Sequence, residues 1–241
     1  MSSGLYVHTL IGASVTMPHK VAIMEHLDEI TIEGRVVGAC NTIFIHERDG
    51  RRKFIGTNTD VVGIREAFYR NVPDPKVAFQ GRPGMVVGGG GTARSAVYAM
   101  NRWMACNPIY LINRDKAEVE AVIADCKARG YGDGLVHVET VEQAERLDAP
   151  GAIVGCVPNF TPITPEERQA RQVFMVMVTK SEKGTMLEMC YHPCPTTELS
   201  ELARKAAWQI ILGTEAMIWQ GLEQDCYWTK NDVRNLPIEK V

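Results

Sequence analysis

Residues 85–93 read Met-Val-Val-Gly-Gly-Gly-Gly-Thr-Ala, and they are the most informative segment of the chain. A short β-branched strand runs into a glycine turn, and a helical pattern begins directly behind it. Glycines let a backbone approach a pyrophosphate, and a helix N-terminus offers unpaired N–H groups and a favourable dipole. We therefore predict a phosphate loop of the dinucleotide-binding type, with a merely flexible glycine loop as the alternative. Its candidate cofactor-binding residues are Gly88, Gly90, Gly91, Thr92 and Ala93.

The chain after this turn alternates regularly between strand and helix patterns. Strands are predicted near residues 108–112, 135–138, 152–155, 173–178 and 186–190, with helices over 93–104 and 116–129. Such alternation favours an α/β fold with a doubly wound parallel sheet covered by helices. Two further helices are predicted over residues 198–207 and 214–227. The second is apolar enough to pack against another part of the chain, and we expect it to return to the N-terminal unit.

The residues before the turn form a separate unit. A helix is predicted over residues 21–30, a hairpin from strands at 38–45 and 53–58 across Asp49-Gly50, and a helix over 61–70. Prolines and glycines then interrupt the pattern at residues 71–75 and 80–84. We predict two domains, one of residues 1–75 completed by 214–241, and one of residues 76–213 that carries the phosphate loop.

Composition and charge exclude several classes of protein. The chain has 241 residues and 45% hydrophobic content, which is enough for a buried core. Lys and Arg number 26 against 29 Asp and Glu, so the net charge is -3 and nucleic acid is not expected as a partner. The apolar runs are too short to span a membrane, no secretory signal is visible, and we expect a cytoplasmic protein. The seven cysteines contain no CxxC pair, so neither a disulfide framework nor a metal site is expected.

The second strand after the phosphate loop ends in Asn113, Arg114 and Asp115. In dinucleotide-binding folds this position reads the adenosine ribose. Arg114 can stack on adenine or meet a 2′-phosphate, whereas Asp115 can accept from a 2′-hydroxyl and repel a phosphate. Asp115 can equally be the N-cap of the next helix, and the residues alone leave both interpretations open.

Polar residues recur at three places in the first unit. Lys20 follows Pro18 at a helix start, where a solvated surface charge is the alternative interpretation. Two strands end in Asn41-Thr42 and in Asn58-Thr59-Asp60, and Asp60 can also be a helix N-cap. The convergence of neutral hydrogen-bonding groups and one carboxylate at one end of a sheet would suit a polyhydroxylated small molecule.

Taken together, these motifs resemble the shikimate/quinate dehydrogenase family. The resemblance covers residues 15–20, 38–42, 56–60, 88–94 and 113–114, together with Tyr191-His192-Pro193 and Gln220. Residues 213–220 look most like fungal members of the quinate/shikimate type.

The resemblance implies an N-terminal substrate domain, a Rossmann-type cofactor domain and a C-terminal helix that returns to the first. It implies reversible oxidation of a ring hydroxyl of quinate or shikimate by NAD or NADP. The implied catalytic residues are Lys20 and Asp60, which would flank that hydroxyl. The implied substrate-binding residues are Thr16, Asn41, Asn58, Tyr191 and Gln220, and Gly213 joins the implied cofactor-binding residues.

Three departures from the family pattern qualify these expectations. The family opens with a strand–helix unit whose Ser-x-Ser element binds the substrate carboxylate, and Ser2-Ser3 does not match it. We therefore expect intact cofactor binding and weak substrate binding. Glu188 stands where the family commonly has aspartate. Asp115 follows Arg114 where NADP-dependent members often carry threonine or serine, so we expect NAD, with NADP as the alternative.

The sequence leaves a second functional interpretation open. A non-catalytic homologue that senses a quinate-pathway metabolite would have the same fold. Retention of both Lys20 and Asp60 favours the enzyme, whereas the lack of the Ser-x-Ser segment favours the sensor or an inactive fragment. The choice between quinate and shikimate, and the oligomeric state, are not decided by the sequence.

Overall fold

The computed structural model describes residues 10–232. The strands are β1 (Gly12–Ser14), β2 (Glu29–Ile30), β3 (Thr42–Arg48), β4 (Arg51–Thr57), β5 (Gly84–Val87), β6 (Ile109–Ile112), β7 (Leu135–His137), β8 (Ala152–Gly155), β9 (Thr185–Glu188) and β10 (Gln209–Leu212). The helices are α1 (Ile32–Val37), α2 (Asp60–Asn71), α3 (Pro75–Ala78), α4 (Gly91–Tyr98), α5 (Lys116–Ala128), α6 (Val141–Arg146), α7 (Pro165–Thr179), α8 (Glu198–Lys205) and α9 (Gly213–Thr229). Among these helices, none is long and apolar enough to cross a membrane.

The smaller sheet has four strands in the order β1-β3-β4-β2. Strands β3 and β4 form the predicted antiparallel hairpin, and its turn has positive φ at Asp49 and Gly50. The pairing of Thr42 with Thr57 places Asn41 and Asn58 side by side at one edge of this sheet. The two Asn-containing segments therefore meet, as the sequence predicts.

The larger sheet has six parallel strands in the order β10-β9-β8-β5-β6-β7. The chain winds outward first to one side of β5 and then to the other, so its direction reverses between β5 and β8. Ligands of such sheets bind outside the carboxyl ends of the strands at this reversal. Val87 pairs with both Ile112 and Gly155, so the loops after β5, β6 and β8 leave the sheet at the same edge. The predicted α/β fold with a doubly wound parallel sheet is confirmed.

Both faces of the larger sheet are buried. Val86, Leu111 and Val154 belong to one hydrophobic cluster. Their chain neighbours Met85 and Tyr110 belong to a second cluster on the other face. Side chains of a strand alternate between faces, so continuous apolar strands fit a sheet covered by helices on both sides.

Two predicted elements are wrong. Residues 173–178 lie inside α7 rather than in a strand. Thr164 and Glu167 form a capping box at the start of this helix, and its buried residues recur with helical spacing at positions 173, 174, 177 and 178. Residues 21–30 do not form one helix, because only Ala22–His26 takes a short 3-10 turn, with no buried residue, and Glu29–Ile30 pairs with β4 instead.

The C-terminal helix α9 returns to the smaller sheet, as predicted. Gln224 Nε2 donates to Thr42 Oγ1 at 3.0 Å, and Trp228 Nε1 donates to the Ile43 carbonyl at 3.0 Å. The ring of Tyr227 stacks on Phe44 with centroids 4.8 Å apart. Helix α9 also packs along α2, and it therefore closes one side of the smaller sheet.

Close packing of α2 on α9 predicts opposite effects of the same substitution at two helical glycines. A Cβ at Gly63 would lie 2.4 Å from the Ala216 carbonyl oxygen, whereas a Cβ at Gly221 meets nothing within 4 Å. Gly63→Ala should therefore lower the free energy of unfolding by about 1–3 kcal/mol through overpacking. Gly221→Ala should raise it by up to about 1 kcal/mol through helix propensity. Urea denaturation of both variants measures this, and equal stabilisation by both would contradict the packing described.

Candidate active site

Lys20 and Asp60 meet at the edge of the smaller sheet. The Cys40 backbone N–H donates to the Lys20 carbonyl at 2.7 Å, which ties the Lys20 segment to the strand edge. Asp60 is the first residue of α2, and Thr59 rather than Asp60 occupies the N-cap position. Lys20 Nζ lies 2.5 Å from Asp60 Oδ2, and the side chains are 13% and 6% exposed. The structure therefore brings the two predicted catalytic residues into a nearly buried ion pair.

Asn41 fixes the other side of the Asp60 carboxylate. Its Nδ2 group lies 2.9 Å from Asp60 Oδ1, 2.7 Å from Gln220 Oε1 and 3.0 Å from Thr59 Oγ1. An amide NH₂ has two hydrogens, so it serves two of these three acceptors at one time. Asp60 is held on both oxygens, while Gln220 can exchange its contact with Asn41 for one with a ligand.

A cavity of about 400 Å³ opens beside this network. Lys20, Asp60 and four of the five predicted substrate-binding residues line it, namely Thr16, Asn41, Tyr191 and Gln220. Ser14 and Gln224 also line it, with Ser14 Oγ 3.3 Å from Gln224 Oε1, and sequence reasoning missed both. Gln224 lies one helical turn after Gln220, so the spacing of the two glutamines on α9 was the available signal.

Asn58 does not line this cavity. Its Nδ2 group donates to the Ala39 carbonyl at 2.9 Å and to Ser95 Oγ at 3.0 Å, and the residue is 2% exposed. Its Oδ1 atom accepts from the Val61 backbone N–H at 3.3 Å. The Asn58 side chain points toward α4, which covers this side of the strand end. Asn58 therefore links the smaller sheet to α4.

A second, larger cavity of about 680 Å³ runs along the carboxyl edge of the larger sheet. Predicted cofactor-binding residues that line it are Gly90, Gly91, Thr92, Asn113 and Arg114, and Gly89 lines it although it was not predicted. Six residues line both cavities: Met17, Lys20, Thr92, Cys156, Val157 and Pro158. We call the larger cavity the groove. The two cavities meet at Lys20, whose Nζ also donates to Thr92 Oγ1 at 3.3 Å.

Two positions of the turn require glycine for different structural reasons, and the sequence alone does not distinguish these reasons. Gly88 has φ +130°, a conformation that side chains rarely adopt. A Cβ at Gly91 would lie 2.9 Å from Lys20 Cβ. The close approach of Lys20 therefore requires a glycine at position 91.

Four predicted cofactor residues lie away from the groove surface. Gly88 and Ala93 are buried, and Ala93 packs in the core under α4. Gly213, at the start of α9, lines the smaller cavity rather than the groove. Its backbone packs against the Glu188 carbonyl at the end of β9. Asp115 is exposed, and its Oδ1 accepts from the backbone N–H groups of residues 117 and 118 at 2.9 and 3.3 Å. Its N-cap interpretation is confirmed.

Two glutamates missed by sequence reasoning lie at the end of the groove near β6. Glu118 Oε2 accepts from Asn113 Nδ2 at 2.6 Å, and Glu167 forms an ion pair with Arg114. Backbone N–H groups of Ile163 and Thr164, followed by the Arg114 guanidinium, lower the pKa of Glu167 to about 2. This end of the groove is therefore acidic.

Glu188 is a fully buried carboxyl group that bonds to Cys190, which lines the smaller cavity, and to Thr197, which lines the groove. The Thr197 hydroxyl donates to it at 2.6 Å, and the Cys190 backbone N–H donates at 3.1 Å. Burial raises the pKa of Glu188 to about 7, because desolvation outweighs these two hydrogen bonds. The carboxyl group thus anchors both ends of the 190–197 segment, which carries Tyr191.

Comparison with known proteins finds relatives of this chain. A model for the shikimate dehydrogenase substrate binding domain matches residues 2–43. The chain is 47% identical to a quinate dehydrogenase of Emericella nidulans, over 96% of this chain and 73% of that protein. It is 34% identical to the pentafunctional AROM polypeptide of Scheffersomyces stipitis over 88% of this chain, and spans 13% of that polypeptide.

A solved structure shares the fold. Quinate dehydrogenase from Corynebacterium glutamicum, in complex with NAD, aligns with a TM-score of 0.73 at 22% identity. The alignment covers 95% of this chain and 77% of that chain.

The raised pKa of Glu188 predicts a pH-dependent stability. The pKa of Glu188 in the folded chain, about 7, exceeds its ordinary value of 4.5. The protonated carboxyl group therefore contributes its full stability below pH 4.5, and this contribution is lost as the pH rises through 7. Relative to Glu188→Gln, the unaltered chain should lose about 3 kcal/mol across this window. Urea denaturation from pH 4 to pH 8 measures the difference. The control Glu145→Gln, at an exposed site, should show the same pH dependence of the unfolding free energy as the unaltered chain. If Glu188→Gln also showed that pH dependence, the raised pKa of buried Glu188 would be contradicted.

Proposed function

The chain belongs to the quinate and shikimate dehydrogenase family, and we propose that it reversibly oxidises a ring hydroxyl of quinate or shikimate to the 3-dehydro ketone. The observation that carries this proposal is the position of the Lys20–Asp60 ion pair, at the junction of a small polar cavity and a groove along a dinucleotide-binding sheet. The relative at 47% identity is a quinate dehydrogenase, which supports this reaction.

The groove fits a nicotinamide dinucleotide. It follows the turn of residues 88–91, where a Cβ at Gly90 would meet nothing within 4 Å and the backbone is open to a ligand. Helix α4 begins at Gly91 directly behind this turn and directs unpaired N–H groups toward it. When bound, the dinucleotide supplies the acceptor for the hydride that leaves the ring carbon.

Lys20 and Asp60 handle the proton in the proposed reaction. As the ring carbon is oxidised, the hydroxyl proton passes to Lys20 Nζ while Nζ passes one of its own protons to Asp60 Oδ2, 2.5 Å away. In the reverse direction the same atoms return the proton to the ketone oxygen. Asn41 holds the second oxygen of Asp60, so the carboxylate does not rotate away from Lys20.

Neutral side chains hold the ring in this proposal. Thr16, Asn41, Tyr191 and Gln220 line the small cavity and offer donors and acceptors for hydroxyl groups. The proposed substrate domain consists of residues 1–75 and 214–241, and the proposed cofactor domain consists of residues 76–213. The expectation of weak substrate binding concerns residues before position 10, including Ser2-Ser3, which lie outside the described residues, and it stays a prediction.

NAD is the proposed cofactor. Arg114, the cation at the ribose end of the groove, is already paired with Glu167, and Glu118 adds another carboxylate. A 2′-phosphate would meet repulsion there, whereas ribose hydroxyls can donate to carboxylates. Within residues 10–232, no structural feature favours the alternative role as a metabolite sensor.

The reaction is tested by following reduced nicotinamide by absorbance, with quinate and shikimate each offered NAD and NADP. We expect turnover of at least one substrate with NAD. Tight binding of both cofactors and both substrates without any turnover would contradict the enzyme and favour a sensor.

Substitution of Lys20 separates chemistry from cofactor binding. Lys20→Ala should lower kcat by about 10²- to 10⁴-fold, because the proton acceptor is lost. The Kd for NAD should change little, since the phosphate loop is intact. The exposed neighbour His19 lines neither cavity, so His19→Ala is the matched control and should retain normal kcat. A rise in KM alone for Lys20→Ala would assign Lys20 to binding instead.

A further inference from the structure

We propose that Glu167 is a specificity-determining residue, which excludes NADP by holding Arg114 away from a 2′-phosphate. The inference rests on the proposed function, since it requires a nicotinamide dinucleotide in the groove. Arg114 and Glu167 are separated by 53 positions in the chain, and the loop after β8 brings the carboxylate to the end of β6.

The pair lies where the adenosine ribose of a dinucleotide belongs. Arg114 follows β6, the strand next to the phosphate-loop strand β5. A Cβ at Gly89 would lie 2.7 Å from Asn113 Nδ2 and 2.8 Å from Glu118 Oε2, so the end of β6 touches the phosphate turn itself. In this fold the ribose binds between these two elements.

Glu167 is the fixed member of the pair. Its Oε2 atom accepts from the Ile163 backbone N–H at 2.9 Å and the Thr164 backbone N–H at 3.1 Å. Its side chain is 14% exposed, whereas that of Arg114 is 55% exposed. The lowered pKa of Glu167 keeps it ionised at neutral pH. Oε2 therefore anchors the carboxylate to the start of α7, and Oε1 is left to hold the more exposed guanidinium.

The other cations that line the described groove are each paired with a carboxylate, so none of them is free to bind a 2′-phosphate in place of Arg114. Of the remaining lining cations, Lys20 pairs with Asp60, and Arg171 pairs with Glu198 at 2.6 Å. To bind Arg114, a 2′-phosphate would have to break the ion pair between Arg114 and Glu167. The phosphate would then lie close to the Glu167 carboxylate. Both effects oppose NADP, whereas the uncharged 2′-hydroxyl of NAD encounters neither.

Glu167→Gln tests the proposal with little change of shape. Glutamine keeps an oxygen for the N–H groups of Ile163 and Thr164 but releases Arg114. The Kd for NADP should fall at least about tenfold, and the Kd for NAD should change less than about threefold, by calorimetry on the full chain. Glu166, exposed on the same turn, gives the matched control Glu166→Gln, which should leave the ratio of the two Kd values unchanged.

Arg114→Ala provides a second test that leaves the helix cap intact. In the otherwise unaltered chain it should weaken NADP binding less than about threefold, because Arg114 is not available to the phosphate. In the Arg114→Ala background, Glu167→Gln should improve NADP binding much less than in the unaltered chain, because only the repulsion by the carboxylate is then relieved. Persistence of the full improvement would show that the charge of Glu167 acts alone, and a tenfold loss from Arg114→Ala alone would show that Arg114 already binds the phosphate. Either result overturns the proposal.

The binding data also separate this inference from the proposed function. If the unaltered chain binds neither cofactor, the proposed function fails and the inference fails with it. If the unaltered chain binds NAD but Glu167→Gln leaves the NADP-to-NAD ratio unchanged, the inference alone fails. If the unaltered chain prefers NADP, the role given to Glu167 is overturned while the dehydrogenase proposal stands.

Discussion

The Lys20 ammonium group lies between the two sheets and bonds to both sides. It donates to Asp60, at the end of the smaller sheet, and to Thr92, in the first turn of α4. A Cβ at Gly91 would nearly touch the Lys20 side chain, so the glycine turn approaches this lysine as closely as its backbone allows. The smaller cavity and the groove therefore share one wall, and a group bound beside Lys20 in the smaller cavity is also beside the groove.

A nearly buried ion pair is costly unless its remaining hydrogen-bonding groups are satisfied. Here Asn41 takes the second oxygen of Asp60, and Gln220 from the returning helix α9 competes for the same amide. The C-terminal helix is thus part of the site, because it supplies the polar group that a ligand can displace. Buried Glu188 anchors the segment that carries Tyr191 on the opposite side.

Local signals in the sequence predicted the strand, glycine turn and helix of residues 84–98, the hairpin and the polar strand ends, because each depends on neighbouring residues. The helix over residues 173–178 was missed because its β-branched residues suggest a strand and its capping box lies several residues earlier. Glu167 was missed because its pairing with Arg114 depends on the tertiary path of a loop. Asn58 was predicted to bind substrate, but its side chain bonds to Ser95 of helix α4 instead. The sequence near Asn58 does not show which helix packs against this strand end.

Direct transfer of deuterium tests the central claim that the two cavities hold a ring hydroxyl and a nicotinamide in contact. Quinate and shikimate labelled at the carbon that bears the oxidised hydroxyl are incubated with the chain and NAD. Mass spectrometry of the reduced cofactor should find the deuterium on the nicotinamide ring, because the hydrogen crosses the junction beside Lys20 without exchange. Reduced cofactor without the label, or ketone formation with the label released to water, would contradict this account.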